Sequence, residues 1–232
     1  VVAGVANGAS FLGGSIAPGE IISLFGANLG PTTPTSLSVD ATTGKVATSL
    51  AGVQVLIDGI AAPLLYVSSN QINLVVPYGA IHPNTTLTAT YQGQPSAVVP
   101  VIVQGAVPGI FTIGGTQAAV LNADASVNAP DNPSARGSEV AIYATGAGQT
   151  TPPMTDGQVP TAASTSNIAG LTVTVGGQPA TVVYAGAAPG LIAGVVQINV
   201  TIPPGTPAGS AIPITFAVGA DASQTTATIA VK

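Results

Sequence analysis

This chain contains two copies of one pattern, and that repetition limits what it can fold into more than any other feature. Residues 53–79, VQVLIDGIAAPLLYVSSNQINLVVPYG, run in step with residues 171–205, LTVTVGGQPATVVYAGAAPGLIAGVVQINVTIPPG. Asp58-Gly59 falls on Gly176-Gly177, Ala62 on Ala180 and Tyr66 on Tyr184 at a constant offset of 118, which also lays GEIISLFGANLG (19–30) on GSEVAIYATGAG (137–148). After the tyrosines the second copy gains eight residues, AAPGLIAG or thereabouts. The match then resumes at offset 126, with Gln71-Ile72-Asn73 on Gln197-Ile198-Asn199, Pro77 on Pro203 and Gly93 on Gly219. Self-similarity of this kind means one unit used twice. The expected organisation is two domains, residues 1–105 and 106–232, each long enough to bury a core.

The unit is made of short strands. IISLFG alternates, with Ile22 and Leu24 on one side and Ile21, Ser23 and Phe25 on the other. Asp58-Gly59 has the composition of a two-residue hairpin turn, and strands flank it over 52–57 and 63–67. Further strands are expected at 71–76, 87–91 and 97–103, and in the second copy at 139–144, 171–175, 180–184, 195–202, 212–218 and 225–231. Beyond one turn near Gly190–Gly194 there is no helical periodicity. Turn signals at this spacing predict an all-β chain of two tandem immunoglobulin-like antiparallel β-sandwiches. Residues 31–50 read as a long surface loop. Residues 108–133 have no close counterpart in the first copy and read as a connector plus an extra hairpin. The predicted core pairs Ile22, Leu24, Val55, Ile57, Leu65 and Ile72 with Val140, Ile142, Val173, Val175, Val183 and Ile198.

Composition narrows the function. Charged residues make up 5% of the chain, with three basic residues (Lys45, Arg136, Lys232) against eight acidic ones. Three cations cannot neutralise a phosphate backbone or an anionic bilayer surface, so nucleic acid and membrane are excluded as partners. No run approaches the roughly 18–20 apolar residues of a membrane-crossing helix. The absence of cysteine removes disulfides, zinc–thiolate sites and thiol catalysis. A surface of hydroxyls, amides and small side chains suits an extracellular or cell-surface protein.

Five stretches, APGEIISLFGANLGP, APLLYVSSNQINLVVP, PGIFT, NPSARGSEVAIYATGAGQT and GGQPATVVYAGAAPGLIAGVVQINVTIPPG, resemble a bacterial C-terminal module of large secreted proteins. The resemblance covers essentially the whole chain. Each half is in turn similar to the IPT/TIG type of immunoglobulin-like sandwich; the first half fits better, since Asn28 is replaced by Gly146 in the second. The resemblance implies a secreted, non-enzymatic, all-β scaffold and carries no chemistry to assign residue by residue.

The materials of catalysis are scarce. The single histidine, His82, sits in a turn, and neither a nucleophile elbow nor a metalloprotease motif occurs. Glu20 and Glu139 lie at the starts of related strands and read as strand-edge carboxylates. Asn122, Asp124, Ser126 and Asn128 alternate, with Asp131 close behind. Oxygens at every second position are a calcium pattern, though Asn and Asp bonding their own backbone in a turn explain them equally. No other cofactor is expected. Tyr66 and Tyr184 occupy matching places and are expected to plug each core edge with the hydroxyl on a backbone partner. Tyr78 and Tyr91, matched by Pro204 and Ala217, are the candidates for an exposed contact such as a glycan. Arg136 is placed at the boundary between the domains.

The expected role is an extracellular structural subunit that assembles with itself head to tail, because its edge strands lack the charges that normally defend an edge. The joining residues would be Val1, Val2 and Val5 at one end and Thr225, Thr228, Ile229 and Val231 at the other. The alternative is a secreted adhesion or carbohydrate-binding module.

Overall fold

The ladders of the two copies match residue for residue. In a computed structural model that describes residues 1–161 and 166–232, Ile22 and Leu24 of the strand Ile21–Gly26 face Leu74 and Ile72 of Gln71–Val75. In the second copy Val140 and Ile142 of Glu139–Thr145 face Val200 and Ile198 of Val196–Thr201. These four-residue clusters sit where offsets of 118 and 126 put them, and all eight side chains are buried. The described residues form strands and turns without a helix, all named strand pairs are antiparallel, and two layers of strands enclose each core. The chain is all-β, as its turn spacing predicts.

The next ladder repeats too, and it corrects the predicted core. Leu64, Tyr66 and Val67 pair with Leu74, Asn73 and Ile72, and Val182, Tyr184 and Ala185 pair with Val200, Asn199 and Ile198. Both copies carry a bulge just before the tyrosine. The extra residue reverses the alternation, so Leu64 and Val182 turn inward in place of Leu65 and Val183. Leu65 packs outside the first core and Val183 is 56% exposed. The other ten predicted core residues are buried.

On the opposite layer Val55 and Ile57 face Ala89 and Leu87, while Val173 and Val175 face Phe216 and Ile214. The late strand is therefore displaced by 127 positions, one more than the Gly93–Gly219 match indicates. Gly219 stands where Gln92 does, as the first left-handed residue of its turn (φ 61° and 49°). Tyr91 corresponds to Val218, not Ala217.

Two local differences follow from composition. Gln178–Ala187 is one ten-residue strand that pairs first with Leu171–Val175 and then with Val196–Thr201, so the second half is a single nine-stranded sheet wrapped around its core. In the first half Pro63 stands at the place of Thr181. Proline has no N–H for the ladder, the strand divides into Ile60–Ala61 and Leu64–Val67, and the layers remain separate sheets.

The segment 108–133 does have a counterpart. Val2, Val5 and Asn7 face Gly26, Leu24 and Ile22, and Ile110, Val120 and Asn122 face Ala144, Ile142 and Val140 in the same register. What is new in the second half is the excursion 111–119 inside that edge strand. Sequence comparison missed the match because an edge strand shares little beyond Val-x-Asn.

Replacing Ile142 with Ala should cost about 2–5 kcal/mol in denaturant unfolding, while Val183→Ala should stay within about 0.5 kcal/mol. Equal costs would contradict the placement of the bulge.

Candidate functional site

Alternation leaves Ile21 and its cross-strand partner Val75 on the outer side of the first half's sheet, yet both are buried. With Leu65 and Val46 they form an apolar patch covered by Phe111, Ile192 and Val195 of the second half. Ile192 comes from the eight-residue gain, which also brings Ala187, Ala193 and Gly194 to the seam, all buried. Gly194 adopts φ +125°, and a Cβ there would lie 3.0 Å from Val75 and 3.1 Å from the Gly19 carbonyl, so only glycine fits.

Polar contacts pin the patch. The Thr145 hydroxyl accepts from the Ile21 N–H at 2.8 Å and donates to the Gly194 carbonyl at 2.7 Å. The Tyr78 N–H donates to Asp156 at 2.8 Å, and the Tyr78 carbonyl accepts from Gln149 at 2.6 Å. The Val46 N–H donates to the Gly157 carbonyl, and the Asn7 amide donates to the Val107 carbonyl.

Tyr78 is thus a seam residue, its ring against Gly19 and beside Met154, Ala187 and Ala193. Burial raises the pKa of its phenol, and the negative charge of Asp156 adds to the shift. It is not available as the exposed contact that the unmatched sequence position suggests, and Tyr91 packs against the first core. Tyr184 donates to the Ala187 carbonyl at 2.7 Å, the backbone partner expected of it.

Glu20, the residue before Ile21, has no exposed surface. Its Oε2 accepts from the Ala17 N–H at 2.7 Å, and its Oε1 has no partner. Burial pushes its pKa up to about 8, outweighing the Ala17 N–H and the nearby Asn7 amide, which favour the charged form. Strand position alone reads Glu20 as an edge carboxylate; in the folded chain it is buried beside Ala17 and Asn7. Its counterpart in role, Glu139, is exposed and accepts from Asn199.

The candidate calcium loop is a hydrogen-bonded hairpin. Asp124 accepts from the Ser126 N–H and hydroxyl, which lowers its pKa. The side-chain Oδ1 of Asn122 accepts from Asn128 and Ser134, and its side-chain amide donates to Ser126 and to the Asn132 carbonyl. Asn128 is buried and pairs with Ala230 as a strand would, donating to its carbonyl at 2.9 Å and accepting from its N–H at 2.8 Å. A cation here would compete with each of these bonds. Asp131 stays exposed outside the network.

His82 pairs with Asp58 at 2.5 Å on the surface, and this bond is the main cause of the lowered Asp58 pKa. Arg136 holds the Thr206 carbonyl at 2.6 Å within the second half and does not reach across the seam. The proposed joining strands differ in what they leave open. Ile229 and Val231 point into the second core, and Thr228–Val231 has the strand Gly209–Val218 on one side and residues 116–118 and 134 on the other. Thr225 is in an exposed turn. Val2–Val5 pair only with Ile21–Gly26 among the described residues, and Val1 is exposed.

No family model matches the chain, and no curated protein sequence does. Solved structures give distant likenesses. One is the full extracellular region of plexin A4, domains 1 to 8, with a TM-score of 0.31, 10% identity, and coverage of 100% of this chain and 18% of that one. Others are domains 5–6 of the S-layer protein SbsC, with a TM-score of 0.31, 16% identity and coverage of 100% and 97%, and its domains 4–9, with a TM-score of 0.26, 17% identity and coverage of 100% and 31%. They carry no functional assignment. Among the described residues no helix is long and apolar enough to cross a membrane.

Because the folded-state pKa of Glu20 is raised above its unfolded value, the native state holds a proton that the unfolded chain has lost. Stability should fall by up to about 1.4 kcal/mol per pH unit between about 4.5 and about 8 from this group. Glu20→Gln should remove that slope in denaturant titrations; a variant whose stability follows pH as the parent's does would show that Glu20 is not the titrating group.

Proposed function

We propose that this protein is a non-enzymatic structural module that works outside the cell, as a subunit of a cell-surface or secreted assembly. The observation that carries the proposal is a two-core body welded across an apolar seam, with a surface nearly free of charge and one sheet edge left open at Val2–Val5. Such an edge is normally defended by lysine or inward charge. Here the strand beside it carries none, and the adjoining hairpin presents Phe11 and Leu12 to solvent at 62% and 61% exposure. The one imidazole, His82, is engaged with Asp58 on an exposed turn, which supports a non-catalytic role.

The contact between the halves cannot itself propagate from copy to copy. On the equivalent face of the second half Glu139 replaces Ile21 and Thr201 replaces Val75, and the first half lacks the eight-residue segment that carries Ile192 onto the patch. Copies therefore join elsewhere. With both sides of Thr228–Val231 occupied, the open edge of Val2–Val5 is the joint, taking a strand of a neighbouring copy by backbone pairing. Contacts that do not close on themselves extend as a filament.

Ala3 is the exposed bulge residue of this strand. Ala3→Lys should weaken association at least tenfold in sedimentation velocity and leave the melting temperature unchanged. Association should be nearly insensitive to salt, since few ions take part. A parent that stays monomeric at millimolar concentration, or a variant that associates as the parent does, would remove the open edge as the joint.

A further inference from the structure

We propose that the outward face of the second half's sheet is a binding groove for a neutral saccharide, formed over Ala141 by Tyr143, Gln197, Asn199 and Glu139. The concavity is about 360 Å³, with Leu121 and the hairpin residues Ala123 and Ala125 as its far wall. Its position follows from the ladder. Glu139, Ala141 and Tyr143 lie directly opposite Thr201, Asn199 and Gln197, and directly opposed residues share a face with Cβ atoms about 4.5–5.5 Å apart. The small Ala141 side chain between two larger neighbours leaves the depression.

The polar groups are already set. Gln197 donates to Asn199 at 2.9 Å, and Asn199 donates to Oε1 of Glu139 at 2.9 Å. This relay fixes both amides and leaves a second N–H on each, the Gln197 carbonyl oxygen and Oε2 of Glu139 for a ligand. Adjacent sugar hydroxyls each donate and accept, and a fixed amide beside a carboxyl group meets such a pair. Tyr143 adds a half-buried ring on which the apolar face of a pyranose can lie. Asp124 stands on the adjoining exposed hairpin, and the chain carries a net charge of −5, so an anionic saccharide would be repelled.

The first copy shows what the same motif does without a groove. Gln71 donates to Asn73 at 2.8 Å, but the Ser23 hydroxyl fills the place of Ala141 and donates to Asn73 at 3.0 Å. Ser23 is 2% exposed, and Ile21, at the place of Glu139, is buried in the seam. The Gln-x-Asn pair is common to both copies; the change from Ser23 to Ala141 leaves a depression beside it, and the changes from Ile21 to Glu139 and Phe25 to Tyr143 make its rim polar in the second copy alone.

Affinity electrophoresis of the whole chain in gels containing a soluble β-glucan, a mannan, a galactan or, for comparison, polygalacturonate tests the proposal. At least one neutral polymer should retard the protein and polygalacturonate should not. Tyr143→Ala and the conservative Glu139→Gln should each weaken retardation at least tenfold with unchanged melting temperature, whereas Gln71→Ala in the closed copy should leave it intact. Retardation by no neutral polymer, retardation by the acidic polymer only, or binding that survives Tyr143→Ala and Glu139→Gln combined would overturn the groove. Sedimentation reads the assembly of copies separately, so failure here would leave the structural proposal standing.

Discussion

Ile21 and Val75 face each other on the side of the sheet that alternation leaves outside the first core, and what covers them holds the molecule together. Left in water they would form an exposed apolar patch beside Leu65. Each such side chain gains about 1.5–3 kcal/mol from full burial, and the second half supplies that burial with Ile192 and its neighbours. Once the seam closes, Tyr78 becomes an internal side chain, and the loop carrying Val46 gains a fixed partner at Gly157. Much of the polar chemistry at the seam is a consequence of this one apolar contact.

The two copies keep their interiors alike and differ on their outer faces. Inward pairs such as Leu24–Ile72 and Ile142–Ile198 are interchangeable in size and hydrophobicity, because a packed core tolerates only volume-conserving change. The outer positions carry no such constraint. At three of them one copy has Ile21, Ser23 and Phe25 and the other Glu139, Ala141 and Tyr143. Ile21 of the first set belongs to a patch that another body must cover, whereas the second set builds a face that can remain in water. A duplicated scaffold thereby avoids open-ended stacking through its own internal contact and keeps one sheet surface free.

The same economy applies to edges. The last strand, Thr228–Val231, is apolar and lacks charge, yet it is harmless because its side chains fill the core and both flanks are paired. The first strand has a similar composition, and its outer flank is open over Val2–Val5, with Gly13 closing it at Ala6. Apolar, β-branched sequence marks both segments equally; the number of neighbouring strands decides which one can recruit a partner.

Local sequence pattern carries the repeat, the all-β class, the turns at Asp58-Gly59 and Gly176-Gly177, and ten of the twelve core positions, because alternation and turn chemistry act over a few residues and leave their mark locally. It misplaced Leu65 and Val183, since a bulge depends on how two strands share hydrogen bonds. It hid the kinship of Val5-x-Asn7 and Val120-x-Asn122, which only a shared register reveals. It exposed Asn122, Asp124, Ser126 and Asn128 as alternating oxygens, but which groups those oxygens meet was set by Ser134 and Ala230 arriving from elsewhere in the chain. Tertiary structure alone decided that Glu20 is buried, that Tyr78 is internal, and that Ala141 lies at the bottom of a groove: each depends on contacts between residues far apart in the chain, and no local pattern encodes what will cover a side chain.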